Sequence, residues 1–229
     1  MTARVLRDDS TGRAEAIEVL RRGLLVGLPT DTVYGLAVAL DAPDGIERLF
    51  AAKGRPPDKA IVLLVSDIGQ AERTGVFGPA ARALAAAAWP GALTLVLARR
   101  PEVRLPEVLT AGGSTIGLRL PGHGTPRALA RALGPLPVTS ANRSGEPDLT
   151  NASGLEIEFG DELEVILDGG PTPGGTPSTV VRCDGWDAEV LRVGAIPPER
   201  IKEIVKAARK GHPEIAPAPA PPADEWDGG

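Results

Sequence analysis

The chain has 229 residues, 42% of them hydrophobic and only 3% aromatic, with a formal charge of −5; that supplies one sizeable core of small aliphatic side chains and excludes a disordered composition. Four acids and no base fall between Pro213 and Gly229, which leaves the body with 25 bases against 26 acids. Such a balance gives no field for capturing a polyanion at long range and favours a small phosphorylated ligand held in a local basic pocket.

The elements follow in chain order. Ser10 or Thr11 is expected to cap a helix carrying Ala14, Ile17, Val19 and Leu20, which ends at Gly23 before the apolar strand "LLVGL". "DGIERLFAAKG" predicts a second helix closed by Gly54, and "AIVLLV", residues 60–65, a strand buried on both faces. Pro79 opens the helix "PAARALAAAAW", and the "PG" at 90 and 91 closes it before the strand "LTLVLA". Further strands are expected at "TIGLRL", "LPVTS", "EVILD", "STVVRC" and "EVLRV", with a helix at "TPRALARAL". The last helix, "PPERIKEIVKAARKG", shows an apolar stripe at Ile201, Ile204 and Val205. The class is α/β with a mixed parallel and antiparallel sheet, because several late strands are joined only by turns. Residues 1–211 form the expected domain, and 212–229 an acidic Pro/Ala-rich tail of the composition that stays disordered.

A single cysteine, Cys183, excludes an internal disulfide, and its place in a strand marks it as a buried structural thiol. The first residues lack the apolar core of a signal peptide and no run approaches 18 apolar residues, so a cytoplasmic protein without a membrane partner is expected.

Standard motifs do not supply the chemistry. No G-x-x-x-x-G-K-[ST] occurs, and the G-x-G of Gly122 and Gly124 has Arg127 at the third glycine position. With His123, His212 and one cysteine, neither a zinc site nor a Ser-His-Asp triad assembles. His123 reads as a turn residue satisfied by backbone.

Polar clusters at the ends of apolar strands remain, where an open α/β sheet forms its ligand crevice. "PTDTVYGL" offers Thr32 and Tyr34 just past the first strand. "KGRPPDK" packs Lys53, Arg55 and Lys59 into seven residues, a repulsive arrangement that an anion would relieve. Alternation along "STIGLRL" sets Thr115, Gly117 and Arg119 on one face. "TSANRSGEPD" presents Ser140 and Asn142 with bare backbone N–H groups. "PSTVV" and "LRVGAI" bring Ser178 and Arg192.

In this order and spacing, from Thr11 to Ala208, these blocks resemble the YrdC-like threonylcarbamoyl-AMP synthases. The resemblance implies a twisted sheet with a concave basic cavity. It also implies a nucleotidyltransferase that makes threonylcarbamoyl-AMP and pyrophosphate from L-threonine, bicarbonate and ATP, for the threonylcarbamoyl-adenosine of tRNA. By position, Thr32, Arg119 and Ser178 would hold threonine, while Arg55, Lys59, Thr115, Ser140, Asn142 and Arg192 would hold ATP. Lys53 and Arg55 would act on the reacting phosphate. Magnesium is expected on the ATP phosphates rather than in a protein cage. A tRNA threonylcarbamoyl transferase is the implied recipient of the product, and direct tRNA binding would be weak. Leu64 stands where many relatives have histidine, Asp148 near their serine, and Val193 where proline is usual. Two other readings share the fold: a paralogous carbamoyl transferase or hydrolase, and a double-stranded RNA- or tRNA-binding module without chemistry. Retention of both "KGRP" and "SANRSG" opposes the first, and the near-neutral, aromatic-poor body opposes the second.

Overall fold

The computed structural model describes residues 2–173 and 175–211. The expected tail and His212 lie outside the described residues.

Strand β1 (Arg4–Arg7) leads into helix α1 (Ser10–Arg21). The cap is Asp9 rather than Ser10 or Thr11, and its carboxylate accepts from the N–H groups of Thr11 and Gly12. A charged acceptor gains from the helix dipole where a hydroxyl does not, which is why Asp9 wins the position. Next come β2 (Leu25–Leu28), β3 (Gly35–Ala37), α2 (Gly45–Lys53), β4 (Val62–Leu64), α3 (Ile68–Thr74), α4 (Pro79–Ala88) and β5 (Leu93–Ala98). A single 3-10 turn at Glu107–Thr110 precedes β6 (Thr115–Arg119), α5 (Gly124–Leu133), β7 (Leu136–Ser140), α6 (Ala152–Phe159) and β8 (Leu163–Asp168). The hairpin of β9 (Thr179–Asp184) and β10 (Asp187–Arg192) is followed by α7 (Pro198–Gly211).

Among the described residues, ten strands form one sheet in the order β1-β8-β2-β3-β7-β4-β6-β5-β9-β10. Pairing is parallel at β1/β8, β8/β2, β4/β6 and β5/β9, and antiparallel elsewhere. The α/β class and the mixed sheet are therefore as the sequence predicts.

Two-residue alternation divides the core between the faces. Leu36 and Val38 join one apolar cluster with Leu49 and Phe50 of α2, Leu84 of α4 and Leu155 of α6. Ala37 and Ala39 join the other with Val19 and Leu20 of α1 and Leu129 and Ala130 of α5. Cys183 is buried, and burial pushes its thiol up to about 12, as befits a packing residue. His123 caps α5, its Nδ1 accepting from the Thr125 N–H at 3.2 Å; burial lowers its pKa. No described helix is long and apolar enough to cross a membrane.

Candidate anion-binding active site

A recess with about 660 Å³ of empty space, its open mouth included, crosses the middle of the sheet. Its walls come from stretches far apart in the chain: the turn between β2 and β3, the segment after α2, β4, the ends of β6 and β7, the start of β5, and the termini of the β9–β10 hairpin.

The first wall explains the hydroxyls of "PTDTVYGL". Thr30 and Thr32 are both buried, with their hydroxyl oxygens 3.0 Å apart. Thr30 donates to the Val33 carbonyl and its oxygen accepts from the Thr32 N–H, which locks the turn and leaves both hydroxyls on the cavity wall. Tyr34 also lines the recess, but its hydroxyl donates to Gly170 O at 2.8 Å and accepts from Gly169 N–H, pinning the loop after β8.

Arg119, at the end of β6, is 6% exposed. Its Nε donates to Gly91 O, one terminal nitrogen to the Thr32 hydroxyl at 3.0 Å and the other to Asp31 Oδ1 at 2.7 Å. A guanidinium has five N–H donors, so these three bonds fix the plane and leave one N–H on each terminal nitrogen for a further acceptor. Burial lowers its pKa while Asp31 opposes that shift.

Arg55 is placed by the end of α2. The helix stops at Gly54, whose φ of +61° puts it in the left-handed region. The Arg55 N–H returns to Phe50 O at 2.9 Å, and its side chain turns inward against Lys59 O and Ala60 O. Burial, with Arg192 nearby, lowers Arg55 to about 10. Lys53, one residue before the turn, goes elsewhere: its ammonium donates to Ser140 O (2.8 Å), Ser140 Oγ (3.0 Å) and Asn142 Oδ1 (2.7 Å). Desolvation first, then repulsion from Arg55, Arg192 and Lys59, brings Lys53 down to about 7 against an attraction from Asp148.

From the far side come Ser178, whose hydroxyl lies 2.9 Å from that of Thr94, and Arg192, which donates to Ser178 O at 3.1 Å. The Arg192 Nε is buried with no partner among the described residues. Burial lowers the Arg192 pKa, Asp148 raises it and Arg119 lowers it. Three guanidiniums thus share one recess with the hydroxyls of Thr30, Thr32, Thr94, Ser140 and Ser178.

Of the residues singled out in the sequence, Thr32, Arg55, Arg119, Ser140, Ser178 and Arg192 line this recess together. Lys53 and Asn142 stand behind Ser140, joined to it by hydrogen bonds. Lys59 and Thr115 are not among the lining residues, and Thr115 lies four residues from Arg119 along β6, about 13 Å away. Leu64 lines the recess beside Val62 and Ile61 as apolar wall. Sequence reasoning missed Thr30, Asp31 and Thr94. A hydroxyl inside the apolar run "LTLVLA" was the available signal for Thr94, and an acid between two threonines that for Asp31.

Fold and site together define an open-sheet α/β protein with a basic, hydroxyl-lined recess for a small ligand bearing anionic groups. Residues 18–194 match the family model Sua5/yciO/yrdC, described as telomere recombination, and the chain belongs to that family. It is 39% identical over 194 residues to the threonylcarbamoyl-AMP synthase of Bacillus subtilis, covering 84% of this chain and 56% of that protein. It is 37% identical to a putative threonylcarbamoyl-AMP synthase of Mycobacterium tuberculosis H37Rv, covering 86% of this chain and 90% of the relative. Among solved structures, P. abyssi Sua5 complexed with L-threonine superposes with a TM-score of 0.80 at 34% identity, covering 89% of this chain and 60% of that one. The chain therefore spans a little over half the length of the Bacillus protein.

Proposed function

We propose that this protein is a threonylcarbamoyl-AMP synthase, a nucleotidyltransferase that uses L-threonine, bicarbonate and ATP. The observation that carries the reading is the meeting of Arg55, Arg119 and Arg192 in one recess with Thr32, Ser140 and Ser178. The likeness to Sua5 with bound L-threonine supports it.

In this reading the threonine carboxylate takes the two remaining N–H groups of Arg119, and its small polar groups meet Thr32 and Ser178. The amine and bicarbonate condense to an N-carboxylate with loss of water. A carboxylate oxygen then bonds to the α-phosphorus of ATP, the bond from that phosphorus to the bridging oxygen breaks, and pyrophosphate leaves. Charge grows on the phosphoryl oxygens, where Arg55 and Arg192 are already fixed. The unpartnered Arg192 Nε gains an acceptor when an anion enters. Ser140 faces the nucleotide, with Asn142 and Lys53 holding it from behind. Lys53 acts on the reacting phosphate through field and position once the bound anion favours its charged form, since Ser140 O, Ser140 Oγ and Asn142 Oδ1 hold its nitrogen in place. Lys59 and Thr115, outside the lining, would meet only parts of ATP that project beyond the recess. ATP enters this reading as its magnesium complex, the ion held by the phosphates and water rather than by a protein cage. The product is a labile mixed anhydride, and its use in tRNA modification requires hand-off to a transferase, with any direct tRNA contact weak.

The test is incubation with MgATP, bicarbonate and labelled threonine, following pyrophosphate and labelled adenylate. Pyrophosphate release that requires both threonine and bicarbonate is expected; release indifferent to either overturns the reading. Arg55→Ala and Arg192→Ala should each lower turnover at least tenfold while the circular dichroism spectrum stays unchanged.

A further inference from the structure

A second recess lies away from the first, between the turn of the β9–β10 hairpin and the outer face of α7. It is lined by Trp186, Asp187, Ala188, Lys202, Val205, Lys206 and Arg209. Its floor is apolar, from Ala188, Val205 and the indole of Trp186, which is 3% exposed. Its rim is basic: Lys202, Lys206 and Arg209 recur at helical spacing on one exposed face of α7, against the single acid Asp187. The Trp186 Nε1 is buried without an acceptor among the described residues. Nothing in the synthase reading uses any of these groups.

An apolar floor under a basic rim fits an acidic peptide with an embedded aromatic residue. The chain carries such a stretch beyond α7: "DEWD", with Asp224, Glu225 and Asp227 around Trp226. The three acids match the three rim cations in number, and the aromatic matches the floor in kind. Reach is sufficient. Residues 212–223 separate α7 from this stretch, and twelve residues rich in proline and alanine extend to about 37 Å. The way back from Gly211 to Lys202 along the helix is about 14 Å.

We propose that the recess between the β9–β10 turn and α7 is the docking site for the chain's own acidic stretch Asp224–Asp227, with Trp226 over the apolar floor and the carboxylates on Lys202, Lys206 and Arg209. The site is independent of the catalytic reading, and neither fails with the other.

A nitroxide label on Gly229→Cys of the full chain tests it. Cys183 is buried, so the label enters at the new thiol. Paramagnetic broadening in NMR spectra should at least halve the amide signals of Trp186, Asp187 and Ala188, as well as those of α7 near Lys202. Trp226→Ala and the exposed-face variant Lys202→Glu/Lys206→Glu/Arg209→Glu should each restore the hairpin signals. Broadening confined to the last turn of α7, or unaltered in both variants, overturns the proposal. So does equal broadening when labelled chains of natural isotopes are mixed with unlabelled isotope-enriched chains, which would mean that another copy supplies the segment.

Discussion

Arg119 shows how a charge is made useful before any ligand arrives. Its contacts with Gly91, Thr32 and Asp31 hold the guanidinium in one plane, so less side-chain entropy remains to be lost when a carboxylate binds. Asp31→Asn should therefore raise KM for the amino acid at least tenfold with a smaller change in kcat, as steady-state kinetics would show. Lys53 gives a second expectation. Its folded value of about 7 lies below the ordinary 10.5, so at pH 8 the unliganded amine is mostly neutral. A triphosphate nearby favours the charged form, and its binding at pH 8 should draw up to about one proton from the buffer. Calorimetry in buffers of differing ionisation enthalpy would measure that uptake, and Lys53→Met should abolish it. The same depression sets the sign for stability: between pH 7 and 10.5 the unfolded chain holds more protons at this lysine, so its contribution to stability rises with pH across that window. Much of this was legible in the sequence, since strand alternation and block order led to Thr32, Arg119 and Ser178. The basic cluster was less so. Lys53, Arg55 and Lys59 are neighbours in sequence, yet the left-handed turn at Gly54 sends Arg55 into the recess and leaves Lys53 behind Ser140. Asp31 and Thr94 act through partners distant in the chain, which no local pattern reveals.

Elements fail or succeed by their length and their surroundings. The long periodic helices α1, α4, α5 and α7 and the apolar strands β2, β5 and β7 stand where the sequence sets them, within a residue or two. β1, β3, α3 and α6 escaped notice because four, three, seven and eight residues carry too little pattern. In α6 the exposed Ile157 also blurs the apolar stripe. "AIVLLV" reduces to β4 at Val62–Leu64, because Ile61 gives its N–H to Leu109 O beside the 3-10 turn rather than to a neighbouring strand. The hairpin end offers the sharpest test at this scale. A Cβ on Gly194 would lie 2.4 to 2.5 Å from the backbone of Pro177 and Ser178, so the segment after β10 sits flush on the start of β9 only because residue 194 is glycine. Gly194→Ala should push these strands apart and carry Arg192 with them. The expected outcome is nucleotide affinity down at least tenfold by titration, with the helices intact by circular dichroism.

In the molecule as a whole the strand order interleaves the chain: β8 lies between β1 and β2, and β9 beside β5. Neither half of the sheet belongs to one half of the chain, so unfolding should be one cooperative transition, with intrinsic fluorescence and far-UV circular dichroism giving coincident midpoints in urea. Two resolved transitions would contradict a single core. The ligand class also belongs to this scale: on a near-neutral body, three guanidiniums, Arg55, Arg119 and Arg192, are gathered in one recess. Thr32 at one end of the sequence and Arg192 near the other meet across the same small space, and that has a consequence for a chain still emerging from the ribosome. Until Ser178 and Arg192 are released, the recess lacks a side, and a chain stopped before them should not gather an anionic ligand there.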